Sequence, residues 1–240
     1  MYDQEEKKVP WSITEALFIF VIFMAIAFLA SEIRFTIEYV LNIFSIELSI
    51  FGFFVFFSLI QFLIFILYIY YIVVIKYKCS LSVFNPVNYS FSELVKYGLL
   101  SSLLVFGATF FAALVMFFLF PESAEPQAIV DFLVFAESNK EMILVVIVTV
   151  FFAPVSEELF FRGFLYKALR NRLPVGLAIA ISSVIFGAVH FDLYRFVPLF
   201  VAGVVLGHLY EKYKNLWIPI VAHGVWNGIM TMALFASMGS

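Results

Sequence analysis

The sequence predicts an all-α fold, a polytopic bundle of about seven to eight transmembrane helices. Three observations carry this. The 240 residues are 64% hydrophobic and 13% charged, against about 45–50% and about 25% in soluble domains. Mean hydropathy is +1.06. The apolar residues also come in runs of about 20, the length a helix needs to cross the hydrocarbon core. So few charges cannot cover a water-soluble surface. The single cysteine, Cys79, excludes an intrachain disulfide and a Cys-based zinc site. A net charge of −3 without a basic tract argues against a nucleic-acid partner. The partner expected from composition is the lipid bilayer.

The elements follow in order. Residues 1–12, MYDQEEKKVPWS, carry mixed charge and read as a cytoplasmic tail. The apolar run 13–31 is longer than a signal-peptide core of about 7–15 residues, and Ala27-Phe-Leu-Ala30 is a poor cleavage site, so the run reads as a retained first span. The stretch 32–48 mixes Glu32, Arg34, Glu38 and Glu47 with apolar residues, and fits either an interfacial helix or an eighth span. Further spans are expected at 49–75, 95–120, 141–169, 173–190, 194–211 and 216–236. Between the third and fourth, Glu122, Glu125, Asp131 and Glu137 mark an acidic, solvated outer loop. No repeat or linker divides the chain, so 1–240 reads as one membrane domain with its chemistry in about 140–235.

Orientation comes from Lys and Arg in short loops. With the N-terminus cytoplasmic, ten fall inside and three (Arg34, Lys140, Arg195) outside. The expected setting is a multi-pass protein of a bacterial plasma membrane.

Six residues stand out within the spans: Glu157, Glu158, Arg162, His190, His223 and Asn227. Ionisable groups at bilayer depth are costly, face the protein interior and mark function. Glu158 and Arg162 are four apart and share a helix face, so they can pair. Glu157 points about 100° away from Glu158. Adjacent buried carboxylates repel, which raises one pKa and suits it to activate water. His190 closes Phe186-Gly-Ala-Val-His190. His223 and Asn227 share a face and could hold a developing oxyanion, while Gly224 and Gly228 allow close helix approach. At ~1.5 Å per residue, Glu157 and Asn227 fall roughly 18 and 15 Å from the inner ends of their spans. For each piece taken alone, a structural salt bridge or interhelical hydrogen bond is the plain alternative. His208 reads as interfacial, and Gly203 with Gly207 as a packing seam. HExxH, GxSxG, GxSG and GxGD are absent, which disfavours zincin, serine and aspartyl mechanisms.

EExxxR (Glu157, Glu158, Arg162), FxxxH (Phe186, His190) and HxxxN (His223, Asn227), in that order, resemble the CPBP family. These are the CAAX-protease and bacteriocin-processing intramembrane proteases, also called Abi. Phe161-Arg-Gly163 and Leu206-Gly-His-Leu-Tyr-Glu-Lys212 fit as well, although relatives often carry Tyr where His208 stands. The resemblance covers roughly 140–235 and implies a CAAX-protease-like helical fold and an endopeptidase. Glu157 would activate water, with His190 helping to hold it. His223 and Asn227 would stabilise the oxyanion, and Glu158 and Arg162 would orient the site. The implied substrate is a leader, bacteriocin or pheromone precursor, or a lipidated tail. No cofactor is favoured; zinc is the alternative, on Glu157, His190 and His223. A non-enzymatic role in bacteriocin immunity or peptide binding is the competing function.

Overall fold

The computed structural model describes residues 8–43, 50–121 and 138–238, and these are helical with no strand among them. α1 runs Ile13–Ile43. α2 spans 50–76 and ends in a widened π turn, Tyr71–Lys76. A short 3-10 turn, Leu81–Phe84, leads toward α3, Phe91–Leu119. α4 covers 139–170. α5 is Val175–Ala188, α6 Phe196–Tyr213 and α7 Trp217–Met238. The chain is therefore a polytopic helical membrane protein, as its composition predicts.

Local chemistry sets the boundaries. At α3, Ser90 and Glu93 form a reciprocal capping box. Pro174 precedes α5 with an extended ψ. Lys214 ends α6 in the left-handed region at φ 51°. The stretch 32–43 is a direct continuation of α1 rather than a separate helix. No Gly or Pro interrupts 13–43, so nothing in the backbone stops the helix despite its charges. Residues 44–49, and the acidic residues Glu122, Glu125, Asp131 and Glu137, lie outside the described residues.

Among the described residues, four helices are long and apolar enough to span a membrane: Val55–Lys76, Phe91–Leu119, Lys140–Arg170 and Trp217–Ala236. α5 has 14 residues, or ~21 Å, short of the ~30 Å hydrocarbon core. It ends within the bundle's thickness.

α3 packs along α6 and α7, α5 lies against α6, and α4 touches all the elements that build the site. Glycines make the closest approaches. A Cβ on Gly203 of α6 would sit 2.8 Å from Ser183 Cβ on α5, and one on Gly224 of α7 would sit 2.6 Å from the Val150 carbonyl oxygen of α4. Gly228 is looser, with its nearest neighbour at 3.8 Å. The seams expected from glycine spacing are thus real at Gly203, Gly207 and Gly224.

Residues 8–12 dock on the end of α4. Trp11 is buried, its ring stacks on Phe164 at 5.2 Å, and its Nε1–H donates to the Phe164 carbonyl. Val9 exchanges two hydrogen bonds with the Asn171 side chain.

Candidate active site

α4 supplies the two carboxylates, and its backbone is irregular around them. Ala153 N–H donates to the Val148 carbonyl, five residues back, and a second π stretch covers Leu159–Tyr166. Such widened turns are rare and occur frequently at functional sites. The tight segment Ala153–Glu158 lies between them.

Glu158 is wholly buried and doubly held. Its Oε1 accepts from Arg162 Nη1 at 2.6 Å and from His223 Nδ1 at 2.8 Å. Arg162 is buried too. Its Nη2 donates to the Gly203 carbonyl at 3.0 Å, and its guanidinium lies 4.9 Å from the Phe186 ring centroid. The ion pair read from the i,i+4 spacing is therefore present, and it extends across α4, α6 and α7. An unpaired charge here would cost several kcal/mol, about 3–5 for breaking a buried pair.

Glu157 has the opposite surroundings. It is 28% exposed and lines a cavity of about 320 Å³ shared with His190. One of its carboxylate oxygens, Oε2, is shielded and makes no hydrogen bond. His223 Nε2 lies 3.9 Å from that oxygen.

His223 bridges the two carboxylates. Glu158 Oε1 already accepts from a guanidinium, so the Nδ1 facing it carries the proton. In the neutral ring Nε2, facing Glu157, is then an acceptor. His190 follows the end of α5, and its Nδ1 lies 2.8 Å from the Phe186 carbonyl oxygen, to which it donates. Its ring meets Phe186 edge-on at 5.2 Å, as His223 does at 5.8 Å. Phe186 thus wedges between the two histidines and the Arg162 cation.

Asn227 sits one turn beyond His223, and its Nδ2 donates to the Thr149 carbonyl at 2.9 Å. The second N–H of that amide remains for a ligand. Trp226 adds a buried Nε1–H without a partner, its ring 5.5 Å from His223.

All six residues singled out by sequence therefore lie on α4, α7 and the end of α5. Glu157, Glu158, Arg162 and His223 form one cluster, and His190 joins Glu157 at the cavity. Asn227 is tied to α4 through Thr149. The carbonyls of Gly203 and Thr149 could not be read from sequence, because they act through backbone. Trp226 carried a signal, an indole inside the HxxxN motif, which passed unused.

The comparisons with known proteins bear on this region. The family model described as "Type II CAAX prenyl endopeptidase Rce1-like" matches residues 139–229. This stretch is similar to that family. It contains all six residues, and the resemblance to the CPBP proteins stands. A protein named "Putative membrane peptidase YdiL", from Bacillus subtilis (strain 168), is 36% identical over 106 residues, 44% of this chain and 41% of that protein. One named "Uncharacterized protein", from Mycoplasma capricolum subsp. capricolum (strain California kid), is 32% identical over 101 residues, 40% of this chain and 29% of that protein. The matched stretch spans less than half of each relative. No solved structure matches the chain.

The zinc alternative can be tested on geometry. Among the described residues, no three His, Cys, Asp or Glu side chains converge as a metal site requires. Glu157, His190 and His223 as they stand do not form the set, and no step below passes through a metal.

Proposed function

We propose that the protein is a membrane-embedded endopeptidase that uses Glu157 to activate water against a peptide bond. The Rce1-like match and the peptidase name of one relative support the reaction class. The observation that carries the residue assignment is the split between two adjacent carboxylates. Glu158 is wholly buried and engaged by Arg162 and His223, while Glu157 is 28% exposed and lines the cavity. Carboxylates pushed into different environments divide acid–base labour in this way.

A water held by the Glu157 carboxylate at the cavity would stand beside His223, whose Nε2 lies 3.9 Å from Glu157 Oε2. It would donate one proton to each acceptor and keep its lone pairs for the substrate carbonyl. On attack, the water's proton passes to Glu157, the C–O bond forms, and the carbonyl π electrons move onto oxygen. The remaining Asn227 N–H stabilises that oxyanion, and neutral His223 stays an acceptor for the proton the attacking oxygen keeps. Collapse breaks the C–N bond, and Glu157 returns its proton to the departing amine. His190 borders the same cavity and helps hold the water. Arg162 and Glu158 fix the His223 tautomer.

The test uses the protein in proteoliposomes with a library of internally quenched leader-type and lipidated peptides. Wild type should cleave, Glu157→Gln should not, and a chelator should have no effect. Equal cleavage by both proteins would sink the reading. Loss with chelator and recovery with zinc would replace the metal-free mechanism. An inactive Glu157→Ala protein that still protects cells from a peptide toxin would favour the immunity role.

A further inference from the structure

The cavity beside Glu157 has a second polar wall, on α2. Ile50–Tyr70 reads IFGFFVFFSLIQFLIFILYIY. Apart from its tyrosines, its polar residues are Ser58 and Gln61. They are three apart and share a helix face, and both line the cavity that holds Glu157 and His190. Measured from Lys76, Gln61 lies ~22 Å up its helix; measured from Arg170, Glu157 lies ~20 Å up its own. The two groups line the same cavity from different helices.

A carboxamide in an apolar span is expensive unless it is hydrogen-bonded. One use of such a group is to bind helices together. Gln61 does so poorly: its Nε2 reaches the Phe23 carbonyl of α1 only at 3.5 Å, beyond the usual range for N–H···O bonds. α2 is instead fixed to α4 by rings, Phe62 on Phe152 at 5.0 Å and Phe65 on Phe160 at 5.6 Å. The weakly held amide faces a cavity walled by those same rings.

We infer that Gln61, assisted by Ser58, is a substrate-positioning site that hydrogen-bonds the backbone of an extended peptide, whose apolar side chains fill the aromatic walls. The inference rests on the peptidase reading above and names the substrate class, an apolar peptide segment read through its main chain. A carboxamide carries both a donor and an acceptor, the pair that one peptide unit of an extended strand requires. Phenylalanine walls supply contact area without selecting one side chain. Gln61 lies outside the matched stretch 139–229.

The probe is a fluorescent peptide with a Leu-Phe-Val-Leu core, together with versions in which each backbone amide in turn is an ester. Binding is measured to Glu157→Gln protein in proteoliposomes, where turnover cannot interfere, and to the Glu157→Gln/Gln61→Leu double variant. The Glu157→Gln protein should disfavour one ester about five- to tenfold. The double variant should bind the all-amide peptide about tenfold more weakly and treat all the esters alike. Ser58→Ala should give a smaller loss. Unchanged affinity and unchanged ester discrimination in the Gln61→Leu background would overturn the inference, even if thermal stability fell. So would a peptide that binds neither protein. Equal hydrolysis by wild type and Glu157→Gln would instead refute the peptidase reading, and the binding comparison would stand apart from it.

Discussion

Glu157 and Glu158 are neighbours in sequence and live in opposite worlds. On one side of α4, Glu158 Oε1, Arg162, His223 and the Gly203 carbonyl bond to one another while Glu158 Oε2 is buried without a partner, and the glycine seams at Gly203 and Gly224 close the helices around them. On the other side, Glu157 stands at a cavity with an unused oxygen and a histidine just beyond hydrogen-bond reach. The difference teaches how a membrane bundle holds charge: a buried ion network on one side fixes geometry beside a carboxylate that stays open to a cavity. The first region should answer to stability measurements and the second to activity measurements.

The sharpest way to break that division is Glu157→Gln. It should lower kcat about 10²–10⁴-fold, the usual range for a general base, while thermal unfolding in detergent stays near wild type. A large drop in unfolding temperature would move Glu157 into the structural half. Glu158→Gln should lower stability as well as activity. It leaves Arg162 buried and unpaired, at about 3–5 kcal/mol, read by denaturant unfolding in mixed micelles. Replacing both partners, Glu158→Leu with Arg162→Met, should recover most of that stability but not the activity, since His223 loses the carboxylate that fixes its ring.

The seam gives a smaller, paired test. Gly224→Ala drives a methyl to 2.6 Å from a backbone oxygen that cannot swing aside, whereas Gly228→Ala meets nothing closer than 3.8 Å. The first should cost about 1–3 kcal/mol, and the second should be neutral. Equal effects would mean that the α4–α7 contact is not set by Gly224.

How much of this was legible follows from sequence separation. The Glu158–Arg162 pair is four residues apart, so helical spacing alone exposed it, along with the divergent face of Glu157. The His223–Glu158 bond joins residues 65 apart, and no periodicity predicts it. The expected oxyanion pair, His223 with Asn227, was read from a shared face. The structure ties the two residues to different partners on α4, the Glu158 carboxylate and the Thr149 carbonyl. The docked Trp11 was missed because a short charged tail gives no sign of a partner 153 residues on. The charges at 32–48 leave that stretch open between an interfacial helix and an eighth span, while the backbone of α1 offers no reason to stop before Ile43.

The smallest effect concerns the segment that presents His190. Phe191 adopts φ 52°, and Asp192 then takes the Arg195 backbone N–H and guanidinium. Burial works to raise the Asp192 carboxyl, but the Arg195 bonds outweigh it and hold the group below its ordinary range. A lowered folded-state pKa gives stability that is present above the ordinary value of about 3.9 and is lost as pH falls through the lowered one. Asp192→Asn should therefore cost under about 1 kcal/mol at neutral pH and nothing at the acid end. An equal loss at both ends would show that charge is not the cause.

The bond from His223 to Glu158 has a consequence for how the protein is made. Residue 158 leaves the ribosome long before residue 223, so the carboxylate pair enters the bilayer without its imidazole. Until α7 docks, Glu158 has no His223 and Asn227 has no Thr149. Docking of the last helix is thus the step that completes both contacts.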